Sequence, residues 1–187
     1  MKWIGKRISF IDDKNKTTIV IEPESVFWVN ALMGAWVAMW LVIGGIFIWA
    51  FNALQLNQQE KIILIVMLTF WGYYAIRVTR SFLWLLWGRE SIKIDEASLI
   101  YKKSTKGYGR AVPYYLENIQ KIRVFVPEAR SFQASWEASP WVKGGERVEF
   151  DYMGKVIRFG RKLEEKDAKM LYQLLTKKIE ARLRKKK

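Results

Sequence analysis

The chain has 187 residues, 51% of them hydrophobic and 27% charged, with a formal net charge of +14 and neither Cys nor His. Without thiolate or imidazole there is no zinc or haem-histidine site, no Cys nucleophile, no disulfide and no His-based triad. Carboxylate sites for Mg²⁺ or Ca²⁺ stay open in principle, but no Asp-rich calcium loop or Gly-rich phosphate loop of the usual spacing occurs, so no cofactor and no metal site is expected.

Charge is segregated along the chain. Residues 1–25 carry five Lys/Arg and four Asp/Glu, whereas residues 26–88 carry only Glu60, Lys61, Arg77 and Arg80. Residues 89–187 then hold 24 Lys/Arg against 13 Asp/Glu. A chain that meets two solvents explains this better than one globule does.

Taken in order, residues 7–11 and 17–21 alternate and are β-branched on either side of Asp12-Asp13-Lys14-Asn15, which reads as a β-hairpin. Pro23 ends it. From Val26 to Gln59 no residue is charged. Its most apolar part, 26–51, makes ~39 Å of helix against a hydrocarbon core of ~30 Å, enough to span a bilayer with some tilt. A signal peptide is not expected, because mostly polar residues precede a span too long for that role. Residues 52–61 form a polar connection. A second apolar run covers 62–76 and continues through Arg77 and Arg80 to Trp87, with both arginines snorkelling to one interface. Residues 26–88 therefore read as a two-helix transmembrane hairpin.

Lys2, Lys6, Arg7, Lys14 and Lys16 precede the first span, Arg77, Arg80 and Arg89 flank the second, and the connection holds a single Lys. The positive-inside rule puts both termini in the cytoplasm. Trp28, Trp49, Trp84 and Trp87 stand near span ends, as interfacial anchors or as contacts to a partner. Small residues cluster on the helices: Ala31, Gly34, Ala35, Ala38 and Gly45 on the first, Thr69, Gly72 and Ala75 on the second. Small residues let helix backbones approach in lipid. Gly34, Ala38, Gly45, Gly72 and Ala75 are the candidate packing positions, either within the hairpin or against a neighbouring membrane subunit. No ionisable residue lies mid-span, which argues against a transporter or pump.

In 89–187, strand-like stretches recur at 91–95, 98–103, 109–115, 121–127, 147–152 and 155–159, with a tight turn at Met153-Gly154. Residues 163–184 carry an apolar stripe through Leu163, Met170, Leu171, Leu174, Leu175, Ile179 and Leu183, acidic at the start and basic at the end, as a helix prefers. The 1–25 hairpin lies on the same side of the membrane and could add two strands.

The run 90–95 (ESIKID), then 99–101 (LIY), then Val112-Pro113 leading into 116–122 (LENIQKI), resembles bacterial membrane proteins with a pleckstrin-homology-like domain. So does the ending, 148–160 (VEFDYMGKVIRFG), followed by Leu163-Glu164-Glu165 and a last helix. More narrowly, the order of two helices and then this domain resembles an uncharacterised bacterial family of two-helix integral membrane proteins, over about residues 17–183. The resemblance implies an inner-membrane, multi-pass protein with no established enzymatic role, and it supplies no catalytic residues. The segment 128–146 departs from it, standing where a minimal domain would have a short turn. The expected fold class is an α+β membrane protein: a transmembrane helical hairpin plus a small antiparallel β-sheet or partial barrel, pleckstrin-homology-like, with a C-terminal amphipathic helix.

Segment 128–146 holds Phe132, Trp136 and Trp141 among small and polar residues. These would dip into the membrane interface, contact a partner subunit, or cover an open sheet end. Arg77, Arg80 and Arg89 suit anionic lipid headgroups, each worth ~1 kcal/mol near the surface, or simply hold topology. The basic tail Arg182–Lys187 reads as a solvated end, and no groove-reading motif points to nucleic acid. Glu149, Asp151, Glu164 and Glu165 read as strand-surface and helix-start residues, so no catalysis and no small-molecule substrate is expected. The leading expectation is a non-catalytic accessory, stabilising or assembly subunit of a larger inner-membrane complex, with a respiratory or other electron-transport complex as one host. Its partners would be other integral membrane subunits and anionic phospholipids. The alternative is a stand-alone membrane-anchored module that binds anionic lipid or a peptide.

Overall fold

Strands form where β-branched residues alternate, on both sides of two long apolar helices in the sequence. The computed structural model describes residues 1–13, 15–23, 26–127, 131–132, 136–137, 139 and 144–186. In chain order these give β1 (Lys2–Ile4), β2 (Ile8–Asp12), β3 (Thr17–Ile21), α1 (Phe27–Ala53), α2 (Gln58–Trp87), β4 (Gly88–Ile94), β5 (Ser98–Thr105) and β6 (Ala111–Tyr115). A 3-10 turn (Leu116–Asn118), β7 (Ile119–Val124), β8 (Glu146–Tyr152), β9 (Lys155–Arg161) and α3 (Glu165–Lys186) follow. The chain divides into two units, Met1–Glu24 with Trp87–Lys187, and Ser25–Leu86.

The first unit contains two antiparallel sheets. Six strands run in the order β1-β2-β3-β4-β5-β6 and three in the order β7-β8-β9. Of the forms expected, open sheets are found and no barrel closes, because the 3-10 turn after β6 sends β7 into a separate sheet. β3, which precedes the helices, pairs along its whole length with β4, which follows them, from Thr17↔Ile94 to Ile21↔Glu90. β1 lengthens the sheet further by pairing Lys2 with Phe10 and Ile4 with Ile8.

Period-two patterning builds the core. Ile19, Ile92 and Tyr101 lie side by side across β3, β4 and β5 and are all buried. On the smaller sheet Val148, Phe150 and Phe159 are buried in turn. α3 packs on β7 and β8, turning inward Ala168, Leu171, Leu175 and Ile179, which recur at helical spacing. Lys178 of α3 is paired with Asp12 of β2, and this bond together with one from Thr17 holds the Asp12 carboxyl below its ordinary value.

One buried row contains a charge. Ile8, Ile21 and Glu90 are consecutive neighbours across β2, β3 and β4, and Glu90 is only 2% exposed. A buried carboxylate is tolerated only when its oxygens are well satisfied. Glu90 Oε2 accepts from the Gly160 N–H at 2.8 Å and from the Tyr101 hydroxyl at 3.0 Å, and Oε1 accepts from the Arg161 N–H at 3.0 Å. Burial pushes the Tyr101 phenol well above its ordinary range, so it remains a donor. Arg7 grips the same stretch from its carbonyl side. Its Nη1 donates to Lys162 O at 2.5 Å, its Nη2 to Arg161 O at 3.2 Å, and its Nε to Glu22 O at 2.9 Å. Backbone 160–162 is thus held by a carboxylate on its N–H groups and a guanidinium on its carbonyls, which ties the larger sheet to the smaller.

Tyr101→Phe removes one of three donors and should cost about 1 kcal/mol. Glu90→Ala strands all three and should cost about 3 kcal/mol or more. Chemical denaturation of the purified full-length chain, followed by far-ultraviolet circular dichroism, checks this ranking.

Candidate functional site

The second unit is a helical pair whose ends and contacts are chemically specific. α2 starts with a reciprocal cap: Glu60 N–H donates to Asn57 Oδ1 and Asn57 N–H to Glu60 Oε2, both at 2.9 Å. Between the helices, Trp71 Nε1–H donates to Trp40 O at 2.9 Å, and Trp40 Nε1–H reaches Trp71 O at 3.5 Å. An indole N–H away from water needs such an acceptor. Gly44 makes room for this pairing, since a Cβ there would lie 1.9 Å from Trp71 Cζ2. Met33, Val37, Ala75 and Ser81 complete the buried contact.

The five candidate packing positions divide. A Cβ on Gly34 would sit 3.2 Å from Phe82 Cζ, so Gly34 faces the opposite helix, and Ala75 is buried. Ala38 and Gly45 are exposed in the hairpin, and neither Gly45 nor the half-buried Gly72 has anything within 4 Å of a would-be Cβ. Gly44 and the two tryptophans were not singled out in the sequence. The Gly44-Gly45 pair points two ways round the helix, and only the partner's bulk shows which glycine is needed.

The basic candidates lie in different settings. Arg77 Nη1 donates to Tyr73 Oη at 2.9 Å and its guanidinium lies 5.5 Å over that ring, while Arg80 is exposed. Arg89, in the other unit, stands 3.9 Å from the Glu22 carboxylate with most of its side chain in solvent, a geometry of little energetic value. Phe132, 81% exposed, stacks on the exposed Trp136 at 5.9 Å. Trp141 lies outside the described residues.

On the smaller sheet Glu149 is paired with Arg123 and, at 2.8 Å, with Arg158, while Arg123 Nη2 also lies 3.2 Å from Asp151 Oδ1. Burial works against ionisation of Glu149, but the bonds from Arg123 and Arg158 outweigh it and hold its carboxyl below the ordinary value. Among the described residues no three His, Cys, Asp or Glu side chains gather closely enough to hold a metal ion.

No protein-family model matches the chain, and no curated protein is significantly similar to it. Function therefore has to be inferred from these residues.

Gly44→Leu should destabilise the helical pair by about 2 kcal/mol through overpacking on Trp71, whereas Gly45→Leu should leave it unchanged, as read from thermal unfolding in detergent. The lowered Glu149 carboxyl gives a pH dependence. Its contribution is complete above the ordinary glutamate value of about 4.3 and is lost as pH falls through the lower folded-state value. Glu149→Gln should therefore unfold at lower denaturant than the native chain near pH 7, and the gap should close in acid.

Proposed function

We propose that this protein is a non-catalytic accessory, stabilising or assembly subunit of a larger complex in a bacterial inner membrane, with electron-transport complexes as one host class. α1 and α2 cross the bilayer as a hairpin, and the sheet unit, read as a pleckstrin-homology-like domain, stands in the cytoplasm with both termini. One observation carries this reading. Helices of 27 and 30 residues leave most of their large apolar side chains uncovered by each other, including Leu32, Val42, Ile46, Ile63 and Phe70. Such lengths correspond to ~40 Å or more of helix, beyond a ~30 Å hydrocarbon core.

A further face supports docking. Ala31, Ala35, Ala38 and Gly45 are all exposed in the hairpin and recur at helical spacing. Close backbone approach by a third helix would use such a face. The mechanism is burial of helix surface in a host, aided by charge complementarity between the basic sheet unit and acidic protein surface or lipid. A stand-alone module that binds anionic lipid or a peptide is the second reading, favoured by the excess of Lys/Arg over Asp/Glu after residue 88.

Native gel migration of the tagged protein from gently solubilised membranes, with mass spectrometry of its band, tests the choice. A subunit should co-migrate with defined membrane partners. Gly45→Leu should release it without loosening the hairpin. A lone small species in several mild detergents would overturn the subunit reading in favour of the lipid module.

A further inference from the structure

The β5–β6 connection is the shortest kind of hairpin, and it sits beside the residue at which α2 ends. Thr105 and Tyr108 exchange both backbone bonds, at 2.9 and 3.0 Å, around Lys106 (φ 52°) and Gly107 (φ 88°). Two successive positive φ values define a turn that matches strand twist and is rigid for its length. Its tip presents Tyr108, 84% exposed. Pairing of Gly88 with Thr105 puts this turn at the start of β4. There Lys106 N–H donates to Trp87 O at 3.1 Å, and the Lys106 ammonium lies 5.1 Å over the Trp87 ring.

The charge of this hairpin is of one sign. From Ser98 to Leu116 there is no Asp or Glu, while Lys102, Lys103, Lys106 and Arg110 are present. Lys103 is engaged with Glu146 at 2.8 Å. Lys102 folds its ammonium onto Gly107 O at 2.9 Å, drawing a second cation to the tip. Among the described residues Lys102, Lys106 and Arg110 make no ion pair.

We propose that the β5–β6 turn, with Tyr108 at its tip and Lys102, Lys106 and Arg110 around it, is a contact site for the anionic phospholipid surface of the membrane. This rests on the reading that α2 crosses the bilayer. Trp87 is the last residue of that helix, so it lies at an interface where tryptophan and tyrosine are favoured. A cation in van der Waals reach of Trp87 is then within one Debye length, ~10 Å, of the headgroups. Each cation so placed enriches anionic lipid about fivefold. A free anion would need an enclosing pocket, and residues 106–110 are all exposed. An extended charged plane meets it along its whole tip.

The absence of native cysteine makes the test direct. Single-cysteine full-length proteins, Ala111→Cys beside the turn and Ile46→Cys within α1, are labelled with a fluorophore and reconstituted in phosphatidylcholine vesicles containing phosphatidylglycerol. A fixed small fraction of either lipid then carries a headgroup nitroxide quencher. The label at 111 should be quenched about threefold or more better by the glycerol lipid than by the choline lipid, and high salt should remove the difference without any further substitution. The triple variant Lys102→Glu, Lys106→Glu, Arg110→Glu should bring the ratio to about one. Equal quenching by the two lipids in the parent protein overturns the proposal, as does a response at 111 to millimolar inorganic phosphate in detergent without lipid. The label at 46 separates the two claims. If brominated acyl chains quench it while 111 ignores lipid charge, the turn proposal alone fails, and if they do not, the membrane-crossing reading fails.

Discussion

The two sheets are joined by a short piece of backbone gripped on both of its polar sides. Hydrophobic contact between sheet faces is non-directional and would allow sliding. The Glu90 carboxylate, placed in a row with Ile8 and Ile21, removes that freedom, because its oxygens are satisfied only where the Gly160 and Arg161 N–H groups arrive. Arg7 imposes the same condition through the carbonyls of Arg161 and Lys162. Any slip of β9 by one residue would bury an unpaired charge, which costs far more than a lost apolar contact. This polar joint fixes where β9 lies against the larger sheet.

The elements themselves were largely readable from local pattern. Expected strands at 91–95, 98–103, 147–152 and 155–159 overlap β4, β5, β8 and β9, and the helix expected at 163–184 lies within two residues of α3 at each end. Periodicity carries that information directly. What it does not carry is pairing across distance. β1 has three residues, too few for alternation to register. The 3-10 turn lies where the chain passes from one sheet to the other, and within the smaller sheet Lys121, with a positive φ of 46°, falls where the pairing of β7 with β8 shifts register. In the sequence Glu90 is only the first residue of the run 90–95. Its role appears only when β9 is brought against it, 70 residues further on.

The helical pair departs from the small-residue expectation in an instructive way. Gly34 does face the opposite helix, but the contact is organised by two indoles donating to the backbone carbonyl of each other's residue, with one glycine cleared to admit a ring. This uses the smaller residue to seat the largest one rather than to bring two backbones together. It leaves Ala31, Ala35 and Ala38 exposed, so of the two uses the sequence left open for this stripe, packing within the hairpin is not the one these three alanines serve. Composition marks small residues but not their rotation about the axis, which is why the face was visible in sequence and its direction was not.

The pairing of β3 with β4 has a consequence for topology. The two strands flank everything between residues 22 and 87, yet they share five consecutive registered pairs. Whatever the intervening chain does, it must return to the side it left, or the sheet is never assembled. Two bilayer crossings satisfy that parity and one does not. If the helices cross the bilayer as proposed, a chain whose second helix failed to cross would keep β3 apart from β4 and leave it as an open edge. On the reading that both helices cross the bilayer, completion of the sheet would therefore require that the second crossing has been made.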